Sequence, residues 1–242
     1  MTEFDISVII NTHNEGILAH ATVLSVMQAR ELAQQRGFSV QVIVVQDKPS
    51  PETVAYFREC KAMEFTTLTV SFGDPGLSRN AGVAAATGKW LAFIDADDLW
   101  GANWLTACYE AAKCERRQVI WHPEASLYFG IDPHIYVHVD METPAFDLVT
   151  LTLDNYWTSP SFSTRALYLA NPYPGTLLEK RLAYEDWSWN LSTVAWGAIH
   201  KVVPGTAHFI RQKEFSVNKS AIGSLAYPTR LIRDFLDKRS RE

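Results

Sequence analysis

The chain has 242 residues, 47% of them hydrophobic and 12% aromatic, which supports one large core or two small ones and excludes a disordered polypeptide. Its 22 Lys and Arg against 27 Asp and Glu leave a formal charge of −5, so a general nucleic-acid surface is excluded and any anionic substrate needs a local basic site. No apolar run approaches the roughly 18 residues of a membrane span, Met1-Thr2-Glu3-Phe4-Asp5 lacks a basic start, and Cys60, Cys108 and Cys114 are odd in number with no Cys-X-X-Cys pairing; a soluble cytoplasmic protein with reduced thiols is expected.

Residues 6–10 form a short β-branched run, and the polar turn Asn11-Thr12-His13-Asn14-Glu15-Gly16 leads into a helical pattern over residues 17–36. A second strand over residues 40–45 closes at Gln46-Asp47-Lys48-Pro49-Ser50-Pro51, and residues 52–63 read as a helix with Pro51 near its first turn. A third, weaker strand covers residues 68–72, and residues 76–88 hold an Ala-rich helix bounded by glycines. It feeds the apolar run Trp90-Leu91-Ala92-Phe93-Ile94, which ends abruptly in Asp95-Ala96-Asp97-Asp98. Strands alternating with helices predict a mainly parallel, Rossmann-like doubly wound sheet, whose ligands sit at the carboxyl ends of the strands. Carboxylates packed so closely repel one another, and a hard divalent cation, Mg2+ or Mn2+, relieves them while binding a substrate diphosphate. The alternative is an Asp97 or Asp98 cap on a helix starting near Leu99.

Beyond Trp100 a helix is expected over residues 103–117, strands over 119–121 and 136–139, and a helix over 183–196 that stops before Gly197. Residues 201–215 resemble a late strand with a basic rim at Arg211 and Lys213, and residues 229–241 an amphipathic basic helix that packs on its own domain or touches an anionic membrane. His134 and His138, four apart in a strand-like segment, are expected on one side as ordinary sheet histidines or, alternatively, a metal site. Trp189 and Trp196 at helical spacing are expected to face inward, whereas Trp187 and Trp157 are candidates to stack on an acceptor sugar. No linker divides the chain. A single domain over residues 1–242 is expected, with 1–100 binding nucleotide and 101–242 binding acceptor.

The ordered pieces Ser7-Val8-Ile9-Ile10-Asn11-Thr12-His13-Asn14-Glu15, Val44-Val45-Gln46-Asp47, Ser78-Arg79-Asn80-Ala81-Gly82, Asp95-Ala96-Asp97-Asp98 and Glu185-Asp186-Trp187, spread across about three quarters of the chain, resemble glycosyltransferase family 2. That resemblance implies the GT-A fold and an inverting single displacement that moves a sugar from a nucleotide-diphosphate donor to a hydroxyl acceptor, whether glycan, lipid-linked or small molecule. It implies that Thr12, Glu15 and Asp47 line the nucleotide pocket, with Asp47 accepting from a base N–H and Glu15 from base or ribose. Arg79 reaches the base or diphosphate, because a guanidinium pairs with phosphate in a fork. The resemblance further implies that Asp95 holds the ribose and the metal's surroundings and that Asp97 is the direct metal ligand, with Asp98 a third candidate. By its match to the family's Glu-Asp motif, Asp186 is expected to be the general base and Glu185 a supporting acceptor. Separately from the resemblance, Arg211 and Lys213 are candidates to close over the diphosphate from a late loop, with a solvated basic rim as the alternative.

Bland roles stand beside these: turn chemistry for Thr12 and Asn14, a solvated helix position for Arg79, a simple helix start for Glu185 and Asp186, and shaping of the helix start for Asn80 and Gly82. The chain departs from the family pattern where Pro-Thr-Tyr becomes Asn11-Thr12-His13 and where two acids with a Gly become Gln46-Asp47-Lys48, so the donor-base pocket is altered and uridine is not assumed. A non-catalytic module that binds sugar nucleotide or glycan on the same fold is the principal alternative. An aspartyl-phosphate phosphatase wants its Asp-X-Asp near the start of the fold, and a sugar nucleotidyltransferase wants a Gly-rich phosphate loop after the first strand.

Overall fold

In the computed structural model, which describes residues 4–60, 64–177, 182–213 and 228, the first hundred residues build the alternation that the apolar runs predict. Strands β1 (Phe4–Thr12), β2 (Val40–Asp47), β3 (Thr66–Val70) and β4 (Gly88–Asp95) lie in the order β3-β2-β1-β4, all parallel. Helix α1 (Ala19–Gln35) follows a short 3-10 turn, Gly16–Leu18. Helices α2 (Pro51–Glu59) and α3 (Pro75–Ala85) both start as their sequences dictate: Ser50 accepts from the Thr53 N–H and Asp74 from the Leu77 N–H, each with Pro at the first helical position. Alternate residues of β1 face opposite ways. Ile6, Val8 and Ile10 pack with Val23, Val26 and Ala29 of α1, and Ile9 packs with Val45, Leu91, Phe93 and Val83 of α3.

Gly82 is the point where α3 sits down on the sheet. A Cβ there would lie 2.5 Å from Ile9 Cγ2 and 3.2 Å from Val45 Cγ2, so Gly82→Ala forces a packed interface apart. Despite the better helix propensity of Ala, a loss of about 1–3 kcal/mol is expected in urea denaturation; an unchanged or raised midpoint would show that the interface yields freely.

The second half extends the same sheet through β5 (Leu99–Trp100), β6 (Val119–Gly130), β7 (His134–Val137), β8 (Phe162–Thr164) and β9 (Ile199–Gln212), in the order β4-β8-β6-β9-β5 with β7 on β6. Strand β8 runs antiparallel to β4, and Trp90 stacks on Phe162 at 5.5 Å across that junction. Helices α4 (Trp104–Ala112), α5 (Leu148–Leu151), α6 (Arg165–Ala170) and α7 (Glu185–Trp196) complete the layers. Helices α1, α2 and α4 cover one face, and α3, α6 and α7 the other, which is the doubly wound arrangement.

Several boundaries differ from expectation, each for a local reason. No helix starts at Leu99: Leu99 and Trp100 pair antiparallel with Phe209 and His208, which removes the helix-cap role for Asp97 and Asp98. Strand β6 runs far beyond residue 121 because a bulge between Pro123 and Ala125 lets a residue without an N–H sit inside a parallel ladder with β9. Helix α3 stops at Ala85 so that Gly88 can start β4, where a Cβ would lie 2.6 Å from the Ser7 backbone nitrogen. Helix α2 ends at Glu59 and α4 at Ala112, both short of the expected 63 and 117. Trp189 is buried as expected, but Trp196 is 44% exposed near the end of α7. His134 lies exposed on β7, stacked on Tyr128 at 4.2 Å, whereas His138 has left the strand and is buried against Pro123 O and Ser126. The two do not share a side. The basic helix over residues 229–241 and the last residues of the expected 201–215 strand lie outside the described residues. Among the described residues no helix is long and apolar enough to cross a membrane, and the cysteines are free thiols.

Candidate active site

The acidic turn is fastened to the end of β1. Asn11 lies opposite Asp95 in the parallel register, the Ala96 N–H donates to Asn11 O at 2.8 Å, and the Asp98 N–H donates to Asp95 O at 3.0 Å. Thr12 and Glu15 lie at the same sheet edge: the Thr12 hydroxyl donates to Glu15 Oε2 at 2.9 Å and the His13 N–H to the same oxygen at 2.6 Å. Strand β9 arrives from the other half. Its Arg211 N–H donates to Asp98 Oδ1 at 2.8 Å, Arg211 Nε donates to Asp97 O at 3.2 Å, and Lys213 Nζ stands 2.5 Å from Asp97 Oδ2 and 3.9 Å from Glu15 Oε1. Arg211 and Lys213 therefore reach the acidic motif directly. Burial pushes the Asp97 carboxyl up, the neighbouring Asp95 and Glu15 charges add to this, and Lys213 only partly offsets it. Asp98 is pushed well above the usual carboxylate range by burial and by Asp97 and Asp95.

Arg79 occupies neither of its expected places. Its guanidinium is buried, with Nη1 donating to Glu185 Oε1 at 2.7 Å and Nη2 to the two Asp95 oxygens at 3.2 Å. Burial opposes its charge, but the facing Asp95 and Glu185 carboxylates outweigh that and hold its pKa above the ordinary value. It is neither solvated nor open toward a phosphate, and it fixes the acidic turn of the first half to the start of α7 in the second. The rest of α3 supports this joint. Asn80 exchanges two 2.9 Å hydrogen bonds with the Tyr173 backbone, Asp74 Oδ2 accepts from the Thr176 N–H at 2.6 Å, and a Cβ on Gly76 would lie 2.6 Å from Pro174 O.

Asp47 is committed within the protein. Its Oδ1 accepts from the Phe72 and Gly73 N–H groups and its Oδ2 from the Asp74 N–H and the Ser78 hydroxyl, at 2.7–2.9 Å. Burial raises its pKa, but these bonds outweigh burial and hold it below the usual value. A carboxylate offers about four acceptor positions. All are filled, so Asp47 shapes the approach to α3 rather than facing a base N–H.

Glu185 and Asp186 open α7, whose preceding residue Tyr184 is held at φ 61°, a left-handed conformation that costs a bulky residue about 1–3 kcal/mol. Asp186 is pushed up to about 7, first by burial and then by Glu185, although its carboxylate accepts from the Trp187 N–H at 2.8 Å. Trp187 sends its indole N–H to Leu151 O at 2.8 Å, and Trp157 is fully buried, bonded to Val139 O and stacked on His200 at 4.1 Å. Trp157 is core and does not reach an acceptor. Tyr128 on β6, which carries no motif, lies close enough to Asp186 and Asp98 that, after burial, their charges raise its phenol pKa.

Among the described residues no group of three or more His, Cys, Asp or Glu side chains is arranged to hold a metal ion. Asp95 and Asp97 offer carboxylate oxygens of the type that a hard divalent cation such as Mg2+ or Mn2+ takes.

Residues 7–125 match the model of a family described as Glycosyl transferase family 2. Over 105 residues the chain is 30% identical to the succinoglycan biosynthesis protein ExoO of Rhizobium meliloti (strain 1021), a match that covers 43% of this chain and 30% of that protein. The chain thus spans about a third of the curated relative that it matches. Among solved structures it is similar to S. aureus TarS 1-349 in complex with UDP-GlcNAc, with a TM-score of 0.68 at 17% identity, covering 97% of this chain and 66% of that one. It is also similar to the mannosyltransferase PcManGT from Pyrobaculum calidifontis in complex with GDP-Man and Mn2+, with a TM-score of 0.61 at 14% identity, covering 89% and 59%.

Proposed function

Because residues 7–125 belong to glycosyl transferase family 2 and the sheet has the GT-A fold, we propose that the protein transfers a sugar from a nucleotide-diphosphate donor to a hydroxyl acceptor by a single inverting displacement. One domain is divided between residues 1–100, which bind the donor, and residues 101–242, which supply the acceptor site and the base. The observation that carries this reading is the Arg79 bridge, which places Asp95 of the donor edge and Glu185 of α7 on one guanidinium. The donor edge and the expected base are thereby held in fixed relation before any substrate binds, the positioning on which transfer reactions depend.

In this mechanism Thr12 and Glu15 border the nucleotide, Asp95 faces the ribose, and Asp97 with Asp95 would hold Mg2+ or Mn2+. The cation, when bound, supplies Lewis-acid stabilisation of the departing diphosphate. Asp186 takes the proton of the acceptor hydroxyl as that oxygen attacks, and a base whose pKa lies near 7 is suited to work at neutral pH. Glu185, neutralised by Arg79, keeps the start of α7 in place. Trp187 borders the acceptor side. The parallels for the donor are the UDP-GlcNAc of the TarS complex and the GDP-Man and Mn2+ of the PcManGT complex. A non-catalytic sugar-nucleotide-binding module is the second reading, favoured by the Lys213 ammonium on Asp97.

Asp186→Asn tests the assignment. Donor binding by calorimetry is expected to remain near parental, while nucleoside-diphosphate release with a panel of hydroxyl acceptors falls by about 10²-fold or more. The carboxylate must be ionised to accept a proton, so parental kcat/KM rises with pH through about 7, and that rise is absent in the variant. Transfer at the parental rate would remove Asp186 as the base, and donor binding without transfer in the parent would favour the binding module.

A further inference from the structure

The Asp97 carboxylate has a partner already. Its side chain is 11% exposed and that of Lys213 36%, so the acid is sheltered and the ammonium lies on its solvent side. The placement is built into the fold. The Arg211 backbone is tied to Asp98 and its guanidinium to Asp97 O and over the Phe129 ring at 4.7 Å, which fixes the chain two residues before Lys213. From there only the flexible four-carbon stem of the lysine has to adapt. Arg79, the buried cation at this edge, is engaged by Asp95 and Glu185. A divalent cation takes carboxylate oxygens of this kind and would compete with the ammonium that stands 2.5 Å from Oδ2.

We propose that Lys213 is the resident counter-ion of the donor site: it neutralises Asp97 before the donor binds, yields that carboxylate to the metal-bound donor, and then pairs with the diphosphate. This rests on the reading of Asp97 as the donor-site metal ligand. Lys213 is thus a positioning residue that serves one charge in two states. It offsets the repulsion among the Glu15, Asp97 and Asp98 carboxylates in the free protein, and it makes binding of the metal alone unfavourable compared with binding of metal and diphosphate together. The ammonium leaves one anion only when another arrives beside it.

The two halves of the proposal predict opposite shifts in one variant. In the full chain, Lys213→Met is expected to bind Mn2+ alone about five- to tenfold more tightly, measured by electron paramagnetic resonance of the free ion, because a competing partly exposed ion pair is gone. The same variant is expected to bind UDP or GDP in the presence of Mn2+ about five- to tenfold more weakly by calorimetry. Lys213→Arg retains the charge and keeps Mn2+ alone near parental affinity. Lys201→Met, which removes a cation paired with Glu142 away from the site, controls for net charge and shifts neither. Unchanged Mn2+ affinity in Lys213→Met, or a tightening of both ligands, overturns the proposal while leaving the donor site intact. Failure of the parent to bind either nucleotide overturns the donor-site reading, and this proposal with it.

Discussion

Replacing Arg79 by Met is expected to destabilise the protein by about 3 kcal/mol and to abolish transfer. The side chain is buried, and its removal leaves Asp95 and Glu185 facing each other with no cation between them. Breaking a buried ion pair from one side costs about 3–5 kcal/mol, because the remaining charge cannot recover its hydration. The lower end applies here, since the Asp95 side chain is 35% exposed and water relieves part of its charge. Met keeps the apolar stem against Tyr173, whose ring lies 5.5 Å from the guanidinium carbon, so lost packing contributes little. The measurement is the urea midpoint at constant m-value. Adding Asp95→Asn and Glu185→Gln to the Met variant removes the unpaired charges and is expected to restore much of the lost stability without restoring activity. A loss below about 1 kcal/mol in the single variant would mean that the carboxylates had found other partners and that the bridge does not hold the two halves together.

The same residue marks where sequence reasoning stops. Arg79 is separated from Glu185 by 106 positions, and no periodicity or turn chemistry connects residues so far apart. From the sequence it is a cation near a helix start in an acidic chain, and phosphate is the natural guess. Asp47 misleads in the same way. Its carboxylate is filled by groups 25–31 residues later, a condition visible only once β3 and the loop after it lie against β2. Local features, by contrast, are legible. The β-branched runs of β1 and β2, the Ser50-Pro51 and Asp74-Pro75 helix starts and the acid-tipped β4 each encode their structure within a few residues.

The second half is less legible because it is held by long pairings rather than by local alternation. Strand β6 contains Pro123 and Glu124, which interrupt the apolar pattern, and continues only because the bulge and β9 accommodate them. In the sequence Trp157 and Trp187 read as candidates to stack on a sugar. Trp157 instead stacks in the core on two histidines, His122 and His200, and burial alone, which the sequence does not show, separates a stacking ligand contact from a packing contact. Lys213 reads from the sequence as part of a basic rim, but its pairing with Asp97, 116 residues earlier in number, does not.

Those histidines carry the second large effect. His122, His138, His200 and His208 are all buried, and burial lowers each pKa, to about 4 for His138 and about 3 for His200. A histidine kept neutral in the folded state is protonated first in the unfolded chain, so its contribution to stability is complete above about pH 6.5 and is lost as pH falls from there toward the folded pKa. Asp97, Asp98 and Asp186 act in the opposite sense: their pKa values are raised, that of Asp186 to about 7, and acidification through the raised values favours their folded state. The two sets offset one another in the parental curve, so the informative quantity is a difference between variants. His208 isolates it best. Neither ring nitrogen has a hydrogen-bond partner among the described residues, and the ring packs against Trp104 at 4.5 Å. His208→Leu removes two unsatisfied polar atoms at similar volume and is expected to be neutral or slightly stabilising at pH 7.5. By pH 5 the parent has lost roughly 2 kcal/mol that the variant cannot lose, so the gap between their urea midpoints should open steadily below pH 6.5. A constant gap across that range would mean that His208 takes up its proton in the folded protein as readily as in the unfolded one, which its burial beneath Trp100 and Trp104 forbids.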